Sequence, residues 1–127
     1  MSSSVSCTTL RHDHRTDAVS QRVQEPFRKV YPGDARDLHF LAAKCVDLVV
    51  TSPPYWRKRD YGFEGQIGQE KTPEDYVAAI IAAMTEWRRV LRPSGSVFLN
   101  IGDTYYRKSL QSIPSLIEAS SRKDGWT

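Results

Sequence analysis

The feature that most constrains this chain is the run Val46-Asp47-Leu48-Val49-Val50, stopped by Thr51-Ser52-Pro53-Pro54. The run is short, β-branched and almost continuously apolar, which suits a parallel strand covered on both faces. Two prolines end it, because a proline nitrogen has no proton to give to a ladder. The polar residues that follow are therefore delivered at the carboxyl end of a buried strand. In open α/β sheets, that is where ligands bind.

The remaining pattern predicts how the strand is used. Residues 1–25 are polar and aperiodic, and read as a flexible leader before a single domain over 26–127. A short strand is expected at Phe27–Tyr31, a turn at Pro32-Gly33-Asp34, and a short helix over Ala35–Lys44 from the spacing of Leu38, Leu41 and Ala42. Trp56 to Lys71, with Gly62, Gly65 and Gly68, reads as a functional loop. Thr72, Pro73 and Asp75 then form a helix start with a capping box. Tyr76, Val77, Ile80, Ile81, Met84, Trp87 and Leu91 make one apolar stripe, which Arg92-Pro93-Ser94-Gly95 ends. Met84 and Trp87 fit the stripe and are expected in the core. Ser96–Ile101 is a second buried strand, followed by Gly102-Asp103, and Lys108–Ser120 is a second helix interrupted near Pro114. Strand, loop, helix, strand implies a right-handed crossover between parallel strands. That topology sets Ser52–Trp56 and Gly102–Tyr106 side by side over one site.

Composition narrows the function classes. The chain has 127 residues, 26% charged and 39% hydrophobic, as expected of one globular domain. Its net charge of +3 permits a polyanionic partner without demanding one. Cys45 opens the apolar run and suits a small buried hydrophobe, while Cys7 lies in the leader, so neither a disulfide nor a metal site is expected. His12 and His14 flank Asp13 with no fourth ligand nearby, and no metal is expected there either. No stretch approaches the ~20 apolar residues of a membrane helix, and Met1–Thr9 lacks the core of a secretory signal. A cytoplasmic protein is expected.

The turn after the strand has a specific chemistry. An exocyclic amine on a nucleobase is a poor nucleophile, because its lone pair is delocalised into the ring. Two fixed oxygen acceptors can draw the nitrogen toward tetrahedral geometry. Ser52 can supply a side-chain acceptor and Pro53 a carbonyl, while consecutive prolines stiffen the turn. Tyr55 can stack on the base. A base reaches such a pocket only by leaving its duplex, at a few kcal/mol, of which stacking returns roughly 1–3 kcal/mol. A rigid turn or a proline-rich docking peptide is the competing reading of Ser52–Tyr55. The docking peptide belongs in a flexible segment rather than after a buried strand.

The chain resembles the amino-terminal half of the β-group of DNA amino-methyltransferases from restriction–modification systems. The resemblance is carried by Gly33-Asp34-Ala35, Asp47 to Trp56, Arg59-Asp60-Tyr61-Gly62, Gln66 to Glu70, Thr72 to Tyr76, Arg89 to Gly95 and Asn100 to Tyr105. It implies an α/β fold: part of a Rossmann-like, S-adenosyl-L-methionine-dependent methyltransferase, with a parallel sheet and flanking helices. It implies Ser52, Pro53, Pro54 and Tyr55 as catalytic residues and Asp34 near the adenosine of S-adenosyl-L-methionine. Ser-Pro-Pro-Tyr is typical of enzymes that form N4-methylcytosine, whereas Asp or Asn at the first position is commoner for N6-adenine. The implied partner is double-stranded DNA, with Trp56, Arg57, Lys58, Arg59 and Asp103 as candidate substrate contacts. A turn carboxylate at Asp34, a loop cap at Asp103 and a solvated surface at Arg57–Arg59 remain open as alternatives.

The family's Phe-x-Gly-x-Gly motif is absent, and no Gly-x-Gly occurs among the 127 residues. In the β-group that motif and the target-recognition region come later. The chain is therefore expected to be truncated, with an uncovered strand edge, weak or no cofactor binding and no turnover alone. A methyltransferase fragment, a subunit of a split enzyme whose second chain carries the glycine-rich half, and a non-catalytic DNA-binding remnant are the competing expectations. Methylation of a protein glutamine amide uses a similar turn, but Asn is expected before Pro-Pro-Tyr there, against Ser52.

Overall fold

The computed structural model describes residues 28–127. Expectations for the leader, Cys7, His12, His14 and Phe27 lie outside the described residues. In chain order the elements are β1 (Val46–Thr51), α1 (Pro73–Val90), β2 (Leu91–Leu99), β3 (Tyr105–Tyr106), β4 (Ser109–Leu110) and α2 (Ile113–Lys123). β1 and β2 pair in parallel, with Leu48 opposite Ser96 and Thr51 opposite Leu99. β3 and β4 form a separate antiparallel hairpin. The chain is thus α/β, with helices beside a two-stranded parallel sheet.

α1 follows its local grammar. The Thr72 hydroxyl accepts a hydrogen bond from the Asp75 N–H at 3.1 Å, and Pro73 occupies the first turn, where a missing donor costs nothing. Glu74 and Asp75 sit at its positive end and Arg88 and Arg89 at its negative end. Tyr76, Val77, Ile80, Ala83, Met84, Trp87 and Val90 are buried along one face. They meet Val46 and Val49 of β1, Leu38 from the preceding turns, and Ile113 and Ile117 of α2 in one core. Met84 and Trp87 are core residues, and the Trp87 indole donates to the Ala35 carbonyl at 3.0 Å.

Several boundaries differ from expectation. No strand occurs at 28–31 and no helix over Ala35–Lys44, which forms successive turns. The reason is local competition for the backbone: Asp34 accepts from the Arg36 N–H at 2.8 Å and Asp37 from the His39 N–H at 3.1 Å. β2 begins at Leu91, directly after α1, and ends at Leu99. Val46 pairs with Leu91 and Leu48 with Ser96, so Arg92–Gly95 bulge opposite Asp47 alone. An ion pair between Arg92 and Asp47, 2.7 Å, holds this bulge. Gly95 is required within it, because a Cβ there would lie 2.8 Å from Leu91 Cδ2 and 3.1 Å from the Asp47 carbonyl. α2 starts at Ile113, so Pro114 opens it rather than interrupting it.

The sheet is covered on one face only among the described residues. Val50 and its partner Phe98 are each 63% exposed, and Leu48 on the same face is 43% exposed. No other described strand pairs with β1 or β2. No helix among the described residues is long and apolar enough to cross a membrane.

Candidate active site

β1 passes directly into Ser52-Pro53-Pro54-Tyr55-Trp56. Ser52 is exposed, Pro53 is buried, and Pro54 and Tyr55 are half-buried. Neither the Ser52 hydroxyl nor the Pro53 carbonyl has a hydrogen-bond partner among the described residues. The Pro54 carbonyl, in contrast, accepts from the Tyr76 hydroxyl of α1 at 2.9 Å. Burial pushes the Tyr76 phenol well above its ordinary pKa, so it stays a neutral donor. The turn is thus bolted to the helix beneath it through one carbonyl, while the preceding carbonyl and the Ser52 hydroxyl carry no hydrogen bond among the described residues.

Two glycines complete the grip. Gly68, at φ +104°, packs against the turn so closely that a Cβ would lie 3.1 Å from the Tyr55 carbonyl and 3.2 Å from Pro54 Cβ. Its own carbonyl accepts from the Arg57 N–H at 2.7 Å. Gly102 lies against the Tyr55 ring: a Cβ there would sit 2.7 Å from Cε2 and 3.0 Å from Cδ2. The segment after β2 therefore meets the segment after β1. The buried Thr104 hydroxyl fastens them, donating to the Trp56 carbonyl at 2.8 Å.

Two candidate DNA contacts are placed elsewhere by the structure. Trp56 is only 1% exposed, and its indole donates to the Glu70 carbonyl at 2.9 Å. Its large apolar surface turns inward as soon as the prolines release the chain, so it anchors the turn and does not face a cleft. Asp103 has both carboxylate oxygens occupied by backbone: Oδ1 accepts from Thr104 and Ile113, and Oδ2 from Ser112. Desolvation raises its pKa, but the N–H groups of Ile113, Thr104 and Ser112 outweigh that and hold it below the usual carboxylate range. It caps the start of α2, where Ser112 makes no side-chain cap bond.

Arg57, Lys58 and Arg59 are exposed and make no ion pair among the described residues. The Arg57 guanidinium lies 4.8 Å from the Tyr106 ring centroid and 5.7 Å from that of Trp56.

On the other side of Pro54 lies an open cavity of about 290 Å³, lined by Asp34, Tyr61, Phe63 and Ile67 among others. The Asp34 carboxylate is held by Arg36, at 2.6 Å between Oδ2 and Nη2, and Arg36 also donates to the Gly65 carbonyl at 3.0 Å. The hydrogen bond from Arg36 holds the Asp34 pKa below the ordinary carboxylate value. A carboxylate has about four lone-pair sites, so Asp34 keeps capacity for a hydroxyl donor. Its wall combines the aromatic and apolar side chains of Tyr61, Phe63, Ile67 and Pro54 with the Asp34–Arg36 ion pair and Glu64. The cavity is at the small end of ligand pockets, roughly 300–1,000 Å³.

Sequence reasoning missed the supports: Tyr76 was counted only as core, and Gly68, Gly102, Thr104 and Arg36 were given no role. The Tyr76 signal was present in principle, since a buried phenol must find an acceptor. The topology already set Gly102–Tyr106 beside the turn, but which atoms touch there, and that Gly68 packs on Pro54 and Tyr55, one-dimensional spacing does not state.

Comparison with known proteins agrees with this geometry. A protein-family model for DNA methylase, of the N6 and N4 type, matches residues 46–126. Type II methyltransferase M.MwoI of Methanothermobacter wolfeii is 50% identical over 96 residues, covering 68% of this chain and 14% of that protein. Type II methyltransferase M.SmaI of Serratia marcescens is 46% identical over 78 residues, covering 61% of this chain and 27% of that protein. Type II methyltransferase M.SfiI of Streptomyces fimbriatus is 36% identical over 115 residues, covering 76% of this chain and 27% of that protein. The chain therefore spans between 14% and 27% of the length of these relatives. No solved structure shows significant similarity. With the match running through β1, its proline turn, α1 and α2, the chain belongs to the family of N6 and N4 DNA methylases.

Proposed function

We propose that this chain carries the amine-activating half of a restriction–modification DNA methyltransferase that methylates the N4 amine of cytosine. The observation that carries this reading is the free pair at the strand end: an exposed Ser52 hydroxyl and an unpartnered Pro53 carbonyl, beside a half-buried Tyr55 ring. S-adenosyl-L-methionine, when bound, supplies an electrophilic methyl carbon on a sulfonium. Asp34 and the walls around it would hold its adenosine part. Ser52 and the Pro53 carbonyl accept hydrogen bonds from the two amine N–H groups and direct the nitrogen lone pair toward the methyl group. Methylation would place positive charge on the amine nitrogen, which the two oxygen acceptors would stabilise until one N–H proton passes to water. Acceptors fixed in advance stabilise that charge without reorganising. Tyr55 stacks on the base, and Gly102 and Gly68 set where its ring and carbonyl lie. Arg57, Lys58 and Arg59 contact phosphates of double-stranded DNA beside the extruded base.

Ser52 favours cytosine, because in the resembled family Ser before Pro-Pro-Tyr is typical of enzymes that form N4-methylcytosine, and Asp or Asn is commoner for N6-adenine. The exposed apolar face of Leu48, Val50 and Phe98 supports a further layer of a methyltransferase sheet packing there, on a second polypeptide or another part of a longer one. The chain by itself is expected to bind S-adenosyl-L-methionine weakly and not to turn over. The test is to supply the glycine-rich half separately, provide S-adenosyl-L-methionine with a labelled methyl group, and analyse the nucleosides of the recovered DNA. Label in N4-methylcytosine, lost with Ser52→Ala, is expected. Label in N6-methyladenine would replace the cytosine reading, and label in neither would overturn the proposal.

A further inference from the structure

We propose that the β3–β4 hairpin is a second phosphate-contacting element, holding duplex DNA beside the Ser52–Tyr55 turn. This rests on the reading that the chain works on DNA, and it adds a surface that the catalytic argument does not use. The hairpin reverses at Arg107-Lys108, with Tyr106 opposite Ser109. Both turn residues have positive φ, 49° and 65°. A two-residue turn of that kind favours Asn-Gly. This chain instead places two long cations there, both exposed.

The hairpin is braced. The Gln111 side chain donates to the carbonyls of Tyr106, 3.0 Å, and Ser109, 2.9 Å, while the Gln111 N–H donates to the Thr104 carbonyl at 3.0 Å. Asp103 and Thr104 tie its base to α2 and to Trp56. Its cations are therefore presented on a fixed arm rather than on a loose loop.

The arm also continues the basic segment beside the turn. The Tyr106 ring has the Arg57 guanidinium at 4.8 Å and the Arg107 guanidinium at 5.3 Å from its centroid. Two like charges are gathered on one ring, and neither has a carboxylate partner among the described residues. Lys58, Arg59 and Lys108, their neighbours in sequence, are also exposed and make no ion pair among the described residues. Neighbouring cations without acidic partners repel one another, and that repulsion is relieved when a polyanion lies across them. A duplex backbone supplies closely spaced phosphates of opposite sign.

The test measures the salt dependence of binding of the full chain to a fluorescent duplex. Arg107→Asn/Lys108→Gly removes both cations and installs the sequence that the turn prefers, so loss of fold does not confuse the result. The expected outcome is weaker binding and a log–log salt slope shallower by about 1.8, from about 0.9 per phosphate contact. Arg122→Gln/Lys123→Gln, at the far end of α2, should keep the wild-type slope. An unchanged slope in the hairpin variant, equal losses in both variants, or no duplex binding by the wild-type chain at low salt would each overturn the inference. Ser52→Ala separates this from the methylation reading, because in the enzyme assembled with the glycine-rich half it should keep the slope while removing methyl transfer. In that assembled enzyme, hairpin-dependent binding without any transfer would end the methylation reading alone, and transfer with hairpin-independent binding would end this inference alone.

Discussion

Gly102→Ala should disable chemistry while sparing the fold. The new methyl carbon would lie 2.7 Å from Tyr55 Cε2 and 3.0 Å from Cδ2, whereas carbon atoms settle at about 3.5–4.0 Å. The Tyr55 ring must therefore move by roughly 1 Å. Tyr55 is half-buried rather than buried, so the stability loss should fall near the low end of overpacking costs, about 1 kcal/mol. Displacement of that size at a reacting centre costs on the order of 100-fold in rate. Urea unfolding of the chain measures the first quantity, and methyl transfer by the enzyme assembled with the glycine-rich half measures the second. A rate within a few-fold of wild type would show that the ring's position against Gly102 does not matter. A stability loss above about 3 kcal/mol would show that the ring is locked in packing rather than presented to a base.

Other perturbations test the supports of the turn. Thr104→Val leaves the Trp56 carbonyl buried without its donor, and should cost about 1–3 kcal/mol in denaturant unfolding. Tyr76→Phe frees the Pro54 carbonyl; it should cost about 1 kcal/mol and slow methyl transfer more than it weakens DNA binding. Asp103→Ala uncaps α2, with an expected loss of about 1 kcal/mol. The Asp103 pKa is lowered on folding, so its contribution is complete above the unfolded value of about 3.9 and fades as pH falls through the lower folded value. The difference between wild type and Asp103→Ala should therefore be flat from about pH 7 to 5 and shrink below about pH 4; a difference that grew in acid would contradict the cap.

How legible the fold was depended on how local each determinant is. β1, its proline stop and α1 were readable because a β-branched run, a pair of prolines and a Thr-Pro cap act within a few residues. The stretch Ala35–Lys44 was misread as helix because its apolar spacing was counted and the capacity of Asp34 and Asp37 to bind nearby backbone N–H groups was not. Arg92-Pro93-Ser94-Gly95 looked like a helix stop, yet the chain enters β2 at once and takes up the excess as a bulge closed by Arg92 and Asp47. That pairing joins residues far apart in sequence and leaves no periodic mark. The site shows the same division. Position at the strand end made it legible that Ser52–Tyr55 leaves β1 as a turn beside the segment after β2. Trp56 was assigned to DNA by adjacency alone, although an indole with a buried acceptor at Glu70 belongs to the core. The hairpin at Tyr105–Leu110 escaped notice because Arg107-Lys108 is a poor turn sequence by ordinary preference.

The most direct test of the account is single-turnover methyl transfer by the assembled enzyme carrying Ser52→Ala, with duplex affinity measured on the same sample. Loss of one fixed partner for the developing charge should slow the chemical step by about 100-fold or more, with DNA binding unchanged. Transfer at the wild-type rate would contradict the claim that the Ser52 hydroxyl helps hold the target amine.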